Sequence, residues 1–332
     1  MGTLRDPIRS LRSVTRGFAI VVSLSAVACA SPASPSAASS SASSSAPAPS
    51  ATPSEIASAP AELVVGGDRP VTIHVPASYD ASRPAPLLIL LHGYTDSGQG
   101  IDAYFDLGPA AEARGYVYAF PDGTIDSDGN RFWNATDACC NLDKAGVDDV
   151  AYLTAVIAEV QAKLAIDPKR IAVVGHSNGG FMSYRFACDR AELVAAAVSL
   201  AGATFADTAD CAPREPVSVV QIHGTADDVV RYEGGRLADD HGPYPGAETT
   251  AETWATYDGC SETSSPLSAK VDVDLLLANG ADPAETSVAE WSGCESGATV
   301  QLWTIPGGGH APVISPAFAG SVMDFLVDHP KP

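Results

Sequence analysis

The sequence predicts an α/β fold in which a mostly parallel central sheet is covered by helices on both faces. Short apolar runs alternate with helical patterns along the chain, and such alternation is typical of parallel sheets. The runs are also unbroken, as at residues 87–91 (Leu-Leu-Ile-Leu-Leu), which indicates strands buried on both faces. One domain is enough for the 332 residues, because single α/β domains often exceed about 250 residues.

The predicted elements follow one another from residue 61 onward. Strands are expected at residues 71–76, 87–91, 116–120, 171–174, 195–200, 217–222 and 300–305. A helix begins near Asp148 or Asp149 and stops at Asp167-Pro168, with an apolar face made by Val150, Leu153, Ile157, Val160 and Leu164. The next helix covers residues 178–190. The last helix is expected to have Ser315 as its cap and Pro316 at its first position.

The charge balance excludes one class of partner. The chain has 40 acidic and 19 basic residues and a formal charge of −21, with 45% hydrophobic residues. An acidic surface repels phosphate backbones and anionic lipid, so nucleic-acid binding is not expected. The sequence shows no heptads, no repeat period and no apolar run of 18 or more residues. Coiled coils, solenoids and conventional membrane spans are therefore not predicted.

The N-terminal 60 residues are predicted to lie outside the fold. Residues 1–28 are typical of a signal peptide, with four arginines before an apolar stretch at 18–28. Ala26-Val27-Ala28 precedes Cys29, which indicates either lipidation of Cys29 or ordinary A-x-A cleavage. Residues 29–60 form a tether, since 27 of residues 31–60 are Ser, Ala or Pro. The protein is thus expected to be exported, as a surface lipoprotein or in free form, with residues 61–332 as its domain.

Six cysteines follow Cys29, an even number that in an exported chain suggests disulfides. Proximity along the chain favours Cys188–Cys211 and Cys260–Cys294. Cys139 and Cys140 then either bond to each other or one of them reaches elsewhere. No spacing resembles a zinc site, so neither a metal nor a cofactor is predicted.

The strand at 171–174 leads directly into Gly175-His176-Ser177-Asn178-Gly179-Gly180, which opens a helix. A serine on a tight strand-to-helix turn needs small neighbours, because the backbone is strained and the helix passes close to the next strand. The helix N-terminus also directs free N–H groups toward a negative charge that forms there. Ser177 is therefore the candidate nucleophile.

A serine nucleophile needs a base and a carboxylate, and two later strands end in suitable residues. Asp227 and Asp228 follow the strand at 217–222, and Gly307-Gly308-Gly309-His310 follows the strand at 300–305. Of the seven histidines, only His310 comes both late in the chain and after the final strand, as the order Ser, acid, His requires. We predict His310 as the base. Asp227, which lies closest to the strand end, and Asp228 are both candidates for the acid, and the resemblance given below favours Asp227.

The same strand ends predict an oxyanion hole and a cleft. One backbone N–H donor belongs to Asn178 and the other to Tyr94, with Thr95 as the alternative. The segment between the strands at 195–200 and 217–222 is too short for a large cap domain, and the longest insertion is 231–299. An open cleft is expected, with Trp133, His176 and Tyr232 as substrate-binding residues and Tyr94 at its rim. Trp133 is equally compatible with a core position.

Taken together, the motifs of the domain resemble those of the polyhydroxybutyrate depolymerase and feruloyl esterase group, and most of all its LpqC-type exported lipoproteins. The resemblance spans roughly residues 61–328. It rests on His92-Gly93, Trp133-Asn134-Ala135, Cys139-Cys140, Val147-Asp148-Asp149-Val150, the Ser177 turn, His223-Gly224-Thr225-Ala226-Asp227 and Gly308-Gly309-His310. In that group these last three motifs carry the nucleophile, the acid and the base, which implies those roles for Ser177, Asp227 and His310.

The resemblance implies an α/β-hydrolase fold and a serine carboxylesterase. The expected substrates are small or polymer-attached acyl esters, such as oligomers of polyhydroxybutyrate or the feruloyl and acetyl esters of polysaccharides. A peptidase or acyltransferase on the same triad, or a non-catalytic surface binding protein, are the alternatives. Many members continue the last motif with Trp-Pro-Gly, whereas Ala311-Pro312-Val313 follows His310 here. The sequence indicates neither the natural ester nor the oligomeric state.

Overall fold

The computed structural model describes residues 63–239, 241–277 and 284–332. The predicted signal peptide, the tether and Cys29 lie outside the described residues. The strands of the described part are β1 (Leu63–Val65), β2 (Val71–Ile73), β3 (Ala85–Leu91), β4 (Val117–Ala119), β5 (Thr124–Ile125), β6 (Arg131–Phe132), β7 (Ile166–His176), β8 (Ala196–Leu200), β9 (Ser218–Gly224), β10 (Gly234–Gly235), β11 (Tyr244–Pro245), β12 (Ser265–Pro266), β13 (Ser287–Trp291) and β14 (Val300–Ile305).

The α-helices of the same part are α1 (Gly98–Phe105), α2 (Leu107–Ala113), α3 (Asp149–Lys163), α4 (Asn178–Asp189), α5 (Ala247–Tyr257) and α6 (Phe318–Asp328). Two single turns of 3-10 helix lie at Thr208–Asp210 and Glu295–Gly297. None of the helices in the described ranges is long and apolar enough to cross a membrane.

Eight of these strands form one sheet in the order β12-β13-β14-β9-β8-β7-β3-β4. The six strands from β14 to β4 are parallel, and β13 and β12 add an antiparallel edge. Every residue of β3, β8 and β9 is buried, as the unbroken apolar runs predict. The mostly parallel sheet predicted from the sequence is confirmed.

Helices cover both faces of this sheet. Leu87, Ile89 and Leu91 of β3 face a core shared with Val156 of α3, Phe181 of α4 and Trp254 of α5. The alternate residues Leu88 and Leu90 face a second core, formed with side chains of the other three helices, namely Ile101, Phe105, Leu107 and Phe318. A strand that packs apolar side chains on both faces cannot tolerate polar alternation, which explains the run at 87–91.

Several boundaries differ from the sequence prediction. The strand predicted at 71–76 is shorter: Val71–Ile73 pairs with β1 in a separate two-stranded sheet, and His74 alone bridges to Tyr118 of β4. Helix α3 ends at Lys163, and Asp167-Pro168 already belongs to β7. Ser315 does not cap α6, because the helix begins at Phe318 after a turn in which the Ser315 carbonyl accepts the Phe318 N–H.

Three disulfides lie in the described part of the chain. They join Cys139 to Cys140, Cys188 to Cys211 and Cys260 to Cys294. These are the pairs that proximity along the chain favours, with the adjacent cysteines bonded to each other. Cys188–Cys211 ties the end of α4 to the loop after β8, and Cys260–Cys294 ties the segment after α5 to the segment after β13.

Candidate active site

Ser177 lies on a sharp turn between the end of β7 and the start of α4. Its backbone has φ 52° and ψ −119°, a positive φ that non-glycine residues rarely adopt. The Ser177 N–H donates to the carbonyl of Leu200, at the end of the neighbouring strand β8, over 2.8 Å. This strained turn presents the hydroxyl at the carboxyl edge of the sheet, where ligands of open α/β sheets bind.

Three glycines around Ser177 make the turn sterically possible. A Cβ on Gly175 would lie 2.2 Å from the carbonyl oxygen of Gly179, and a Cβ on Gly179 would lie 2.1 Å from that of Leu91. A Cβ on Gly180 would lie 2.5 Å from Ser199 Oγ. All three distances are far below van der Waals contact. The expectation that this turn needs small neighbours is confirmed.

Replacing Gly179 with alanine is expected to destabilise the protein and to distort the site. The new methyl group would press on the backbone carbonyls of Leu91 and His92, at 2.1 and 2.6 Å, where the loop beside Ser177 begins. Overpacking of this kind typically costs about 1–3 kcal/mol, and more where backbone must move. The free energy of unfolding in urea measures the loss.

Gly320 in α6 provides the matched control for this substitution. Nothing lies within 4 Å of a Cβ built there, and alanine within a helix is preferred to glycine by about 1 kcal/mol. Gly320→Ala should therefore keep or raise the stability. Equal stability of Gly179→Ala and the wild type would contradict the close approach of α4 to β3.

The structure brings Ser177, His310 and Asp227 together in one line of hydrogen bonds. The Ser177 hydroxyl lies 2.9 Å from Nε2 of His310, and Nδ1 of His310 lies 2.9 Å from Oδ2 of Asp227. Ser177 follows β7, Asp227 follows β9 and His310 follows β14. These strands end at the same edge of the sheet because they are parallel. With Nδ1 donating to the carboxylate, Nε2 accepts the serine proton.

Asp227 is held as a buried carboxylate. Its Oδ1 accepts the backbone N–H groups of Val229 and Val230, both over 2.9 Å, and Nε2 of His223 lies 3.3 Å from Oδ2. Burial alone would raise the pKa of Asp227, but the hydrogen bonds from His223 and His310 outweigh it and hold that pKa well below its usual range. Asp228, the alternative acid, is exposed to solvent.

Two backbone N–H groups lie free beside Ser177. Those of Tyr94 and Asn178 donate to no atom of the described residues, whereas that of Thr95 donates to the Arg131 carbonyl over 2.9 Å. The loop passes close over the serine, because a Cβ on Gly93 would lie 3.4 Å from the Ser177 Cβ. Of the two donors proposed for this loop, the geometry favours Tyr94. An anion between these N–H groups would be stabilised electrostatically.

Asn178 is fixed from behind by the backbone of Trp133. Its side-chain oxygen accepts the Trp133 N–H over 2.7 Å, and its amide nitrogen donates to the Trp133 carbonyl over 2.9 Å. The indole of Trp133 in turn donates to the His92 carbonyl over 3.1 Å. Trp133 is wholly buried, so its prediction as a substrate-binding residue is wrong. The indole can be buried beneath the loop that follows β3 because its N–H has a hydrogen-bond acceptor there, the His92 carbonyl.

Of the other two residues predicted to bind substrate, His176 contacts His310 of the candidate triad, and Tyr232 contacts His223, which lies beside Asp227. Nε2 of His176 donates to the backbone carbonyl of His310 over 2.9 Å. Burial, with the neighbouring His310, lowers the pKa of His176 to about 4, so its ring is neutral near pH 7. The Tyr232 hydroxyl lies 3.0 Å from Thr304 Oγ1, and its ring packs edge-on against His223. Tyr94 extends its hydroxyl to Asp126, 2.7 Å away.

The sequence placed Asp149 only as an alternative to Asp148 near the start of α3, whereas the structure buries its carboxylate beside Arg69 and Asn134. One oxygen of its carboxylate pairs with Arg69 over 2.7 Å, and the other accepts the N–H of Asn134 over 2.7 Å. The Arg69 guanidinium also lies 3.6 Å from the centre of the Tyr152 ring. The available signal was the Asp148-Asp149 pair, in which Asp148 caps α3 and only Asp149 points inward.

The functional groups gathered at this site are those used in acyl transfer. No group of three or more His, Cys, Asp or Glu side chains within residues 63–239, 241–277 and 284–332 could hold a metal ion. The site does combine a hydroxyl, an imidazole, a carboxylate and two free N–H groups at one edge of the sheet. These groups are sufficient to attack a carbonyl carbon and to stabilise the resulting oxyanion.

A family model for the alpha/beta hydrolase family matches residues 88–319. The match covers more than half of the chain, and the chain belongs to the alpha/beta hydrolase family. The acetyl xylan esterase from Aspergillus awamori has a similar fold, with a TM-score of 0.56 at 17% identity over 80% of this chain and 98% of that chain.

Within the family, the chain groups with carboxylic ester hydrolases. It is 30% identical to feruloyl esterase B of Piromyces equi over 249 residues, which are 73% of this chain and 42% of that relative. It is 29% identical over 316 residues to the putative esterase NocK of Nocardia uniformis subsp. tsuyamanensis, covering 90% of this chain and 89% of the relative. The resemblance to an esterase group, predicted from the motifs, is confirmed at this level.

Proposed function

We propose that this ester hydrolase works as a serine carboxylesterase through Ser177, His310 and Asp227. The observation that carries the proposal is the pair of 2.9 Å hydrogen bonds that connects the three side chains. The strained turn at Ser177 and the burial of Asp227 support the same roles. A carboxylate that stays ionised keeps His310 in the tautomer whose Nε2 faces the serine.

The proposed reaction has two halves that share this geometry. His310 Nε2 takes the hydroxyl proton while Ser177 Oγ attacks the ester carbonyl, and the N–H groups of Tyr94 and Asn178 bind the oxyanion. His310 then gives the proton to the departing alcohol, and an acyl-enzyme on Ser177 remains. Water attacks this acyl group by the same route, which releases the acid and restores the hydroxyl. One oxyanion donor is typically worth about 3–4 kcal/mol of transition-state stabilisation.

The proposed substrates are acyl esters carried by a polysaccharide, with feruloyl or acetyl groups, or oligomers of the polyhydroxybutyrate type. Relatives named feruloyl esterase and acetylxylan esterase support the first class, and the sequence motifs support both. Only residues 201–217 separate β8 from β9, so no large cap is inserted there. A site without such a cap suits an acyl group attached to a polymer.

We also propose that the enzyme is exported, with residues 1–28 as its signal peptide, residues 29–60 as a tether and residues 61–332 as the catalytic domain. Anchoring through a lipidated Cys29 and free secretion are the two forms of this proposal. The three disulfides support it, because such bonds persist in oxidising compartments. The full chain has a formal charge of −21, and such an acidic surface repels anionic lipid. In the anchored form, the lipid on Cys29 would therefore make the contact with the membrane.

A fluorophosphonate probe is expected to form one adduct, on Ser177, and to abolish ester turnover in proportion. The phosphorus takes the place of the carbonyl carbon, fluoride leaves, and the adduct mimics the tetrahedral intermediate. Mass spectrometry of proteolytic fragments locates the adduct. An adduct on another serine, or full labelling with undiminished turnover, would contradict the proposed nucleophile.

A substrate panel separates the alternative functions. p-Nitrophenyl acetate, methyl ferulate and 3-hydroxybutyrate oligomers report esterase activity, and a peptide anilide reports amide cleavage. We expect turnover of the esters and little of the anilide. Preference for the anilide would favour a peptidase. Absence of both turnover and labelling would favour a binding protein on a hydrolase scaffold.

A further inference from the structure

A chain of buried polar side chains extends from the body of the protein to Asp227, behind the candidate triad. The Tyr184 hydroxyl donates to Oε1 of Gln221 over 2.6 Å. The amide nitrogen of Gln221 donates to the Gly202 carbonyl over 2.8 Å and lies 2.9 Å from Nδ1 of His223. Nε2 of His223 lies 2.7 Å from the Val230 carbonyl and 3.3 Å from Asp227 Oδ2. Tyr184, Gln221 and His223 are all buried.

These contacts determine where His223 carries its proton. The Gly202 carbonyl can only accept, so the nitrogen of the Gln221 amide faces it, and the second amide proton is directed at His223 Nδ1. Nδ1 therefore accepts. The Val230 carbonyl and the Asp227 carboxylate can also only accept, so Nε2 carries the hydrogen. His223 is thereby held as the neutral Nε2–H tautomer, and a second proton at Nδ1 would oppose the amide N–H.

We propose that His223, oriented by Gln221, is a positioning residue that holds the Asp227 carboxylate in place for its bond to His310. The inference rests on the proposed function. The Nε2–H of His223 bonds to the Val230 carbonyl and lies 3.3 Å from Asp227 Oδ2, so it places the positive end of an N–H dipole beside the carboxylate without bringing a full positive charge. Asp227 thus keeps its full charge for the imidazolium that forms on His310, while the N–H groups of Val229 and Val230 bond to its Oδ1.

The surrounding titratable groups keep this arrangement constant near neutral pH. His176 at the end of β7 contacts the His310 ring with centroids 5.0 Å apart, and its lowered pKa keeps it neutral. Burial raises the pKa of Tyr184 in α4 and of Tyr232, whose ring lies against His223, so both hydroxyls keep their protons. Among these groups, His310 is left as the one that exchanges a proton with Ser177, while Asp227 stays ionised.

The test compares His223→Leu, which removes the donor, with His223→Gln, whose amide nitrogen can reach the position of Nε2. A hydrogen bond to a charged group is worth roughly 10- to 100-fold, so we expect kcat of His223→Leu on p-nitrophenyl acetate to fall by about that factor, with KM little changed. Without this donor the Asp227 carboxylate interacts more strongly with the imidazolium of His310. The acid limb of the kcat/KM–pH profile, where His310 must lose its proton to act as the base, should therefore move to higher pH by roughly half a pH unit.

Rescue by the glutamine variant distinguishes positioning from mere filling of space. His223→Gln should recover most of kcat and return the acid limb to its wild-type position. His329→Leu, in the segment that ends α6, is the matched control and should change neither. His329 bonds only to the Phe325 carbonyl among the hydrogen bonds of the described residues.

The outcomes decide the inference as follows. A folded His223→Leu protein with wild-type kcat and pH profile overturns it, and so does equal loss in both variants with an unmoved acid limb. If His223→Leu does not fold, as thermal unfolding would reveal, His223→Gln alone decides, by keeping or losing the wild-type rate and profile. Retention of ester turnover by Ser177→Ala would instead refute the proposed function on which the inference rests.

Discussion

Ser177→Ala is expected to lower kcat for ester hydrolysis about 10⁶-fold, as when a serine hydrolase loses its nucleophile. The substitution removes the only atom of the triad that forms a bond to the substrate carbon. KM should change little, because the alanine methyl group leaves the oxyanion donors and the cleft in place. Initial rates on p-nitrophenyl acetate and methyl ferulate measure the loss, with enzyme concentrations high enough to detect the residual activity.

Ser321→Ala supplies the control for this experiment. Ser321 is a serine of α6 whose hydroxyl donates to the Ala317 carbonyl within its own helix, on an element that carries none of the candidate site residues. We expect its kcat and KM to equal those of the wild type. Comparable ester turnover by Ser177→Ala and the wild type would mean that another group attacks the ester, and the triad assignment would fall with it.

The parallel strands were predictable from the sequence because their burial is complete. A strand covered on both faces must be apolar at every position. The result is an unbroken apolar run such as that of β3, a pattern that turns and surface helices do not have. The small antiparallel strands β12 and β13 carried no such signal, since they lie at the edge of the sheet and are partly exposed. Their places in the sheet depend on pairing, of β13 with β14 and of β12 with β13, and the residues of the two strands do not specify these partners.

Helices α1, α2 and α5 were not predicted either, and α1 and α5 illustrate the reasons. Helix α1 contains Gly98 and Gly100, residues of low helix propensity, and a Cβ on Gly98 would lie 2.0 Å from the Phe120 carbonyl. Tertiary contact therefore selects glycine at the expense of local propensity. Helix α5 is rich in Ala, Thr and Glu and buries few large side chains, chiefly Trp254.

The candidate triad followed from chain order and strand ends, whereas its supports did not. Ser177, Asp227 and His310 each come directly after a recognisable strand, so parallel topology alone places them at one edge of the sheet. The contacts of Trp133 with Asn178, and of Asp149 with Arg69, join residues 45 and 80 positions apart. Local sequence does not specify such partners, and Trp133 therefore remained undecided between the cleft and the core.

Asp227→Asn is expected to lower kcat about 10⁴-fold while leaving the fold and the positions of the three side chains intact. The asparagine oxygen would take the place of Oδ1, because the N–H groups of Val229 and Val230 require an acceptor. The amide nitrogen then faces His310 and donates to Nδ1. The ring is forced to carry its hydrogen on Nε2, which points at Ser177 and can no longer accept the hydroxyl proton. Steady-state kinetics at several pH values measure the loss.

Asp228→Asn separates this tautomer effect from a general loss of negative charge at the end of β9. Both substitutions remove one charge from adjacent positions, but Asp228 is exposed and only Asp227 bonds to His310. We expect Asp228→Asn to retain the wild-type kcat. If Asp228→Asn lost activity and Asp227→Asn kept it, the acid would have been assigned to the wrong residue. If both variants kept full activity, no carboxylate would be needed to orient His310. The hydrogen bond at 2.9 Å would then contribute to folding and not to proton transfer.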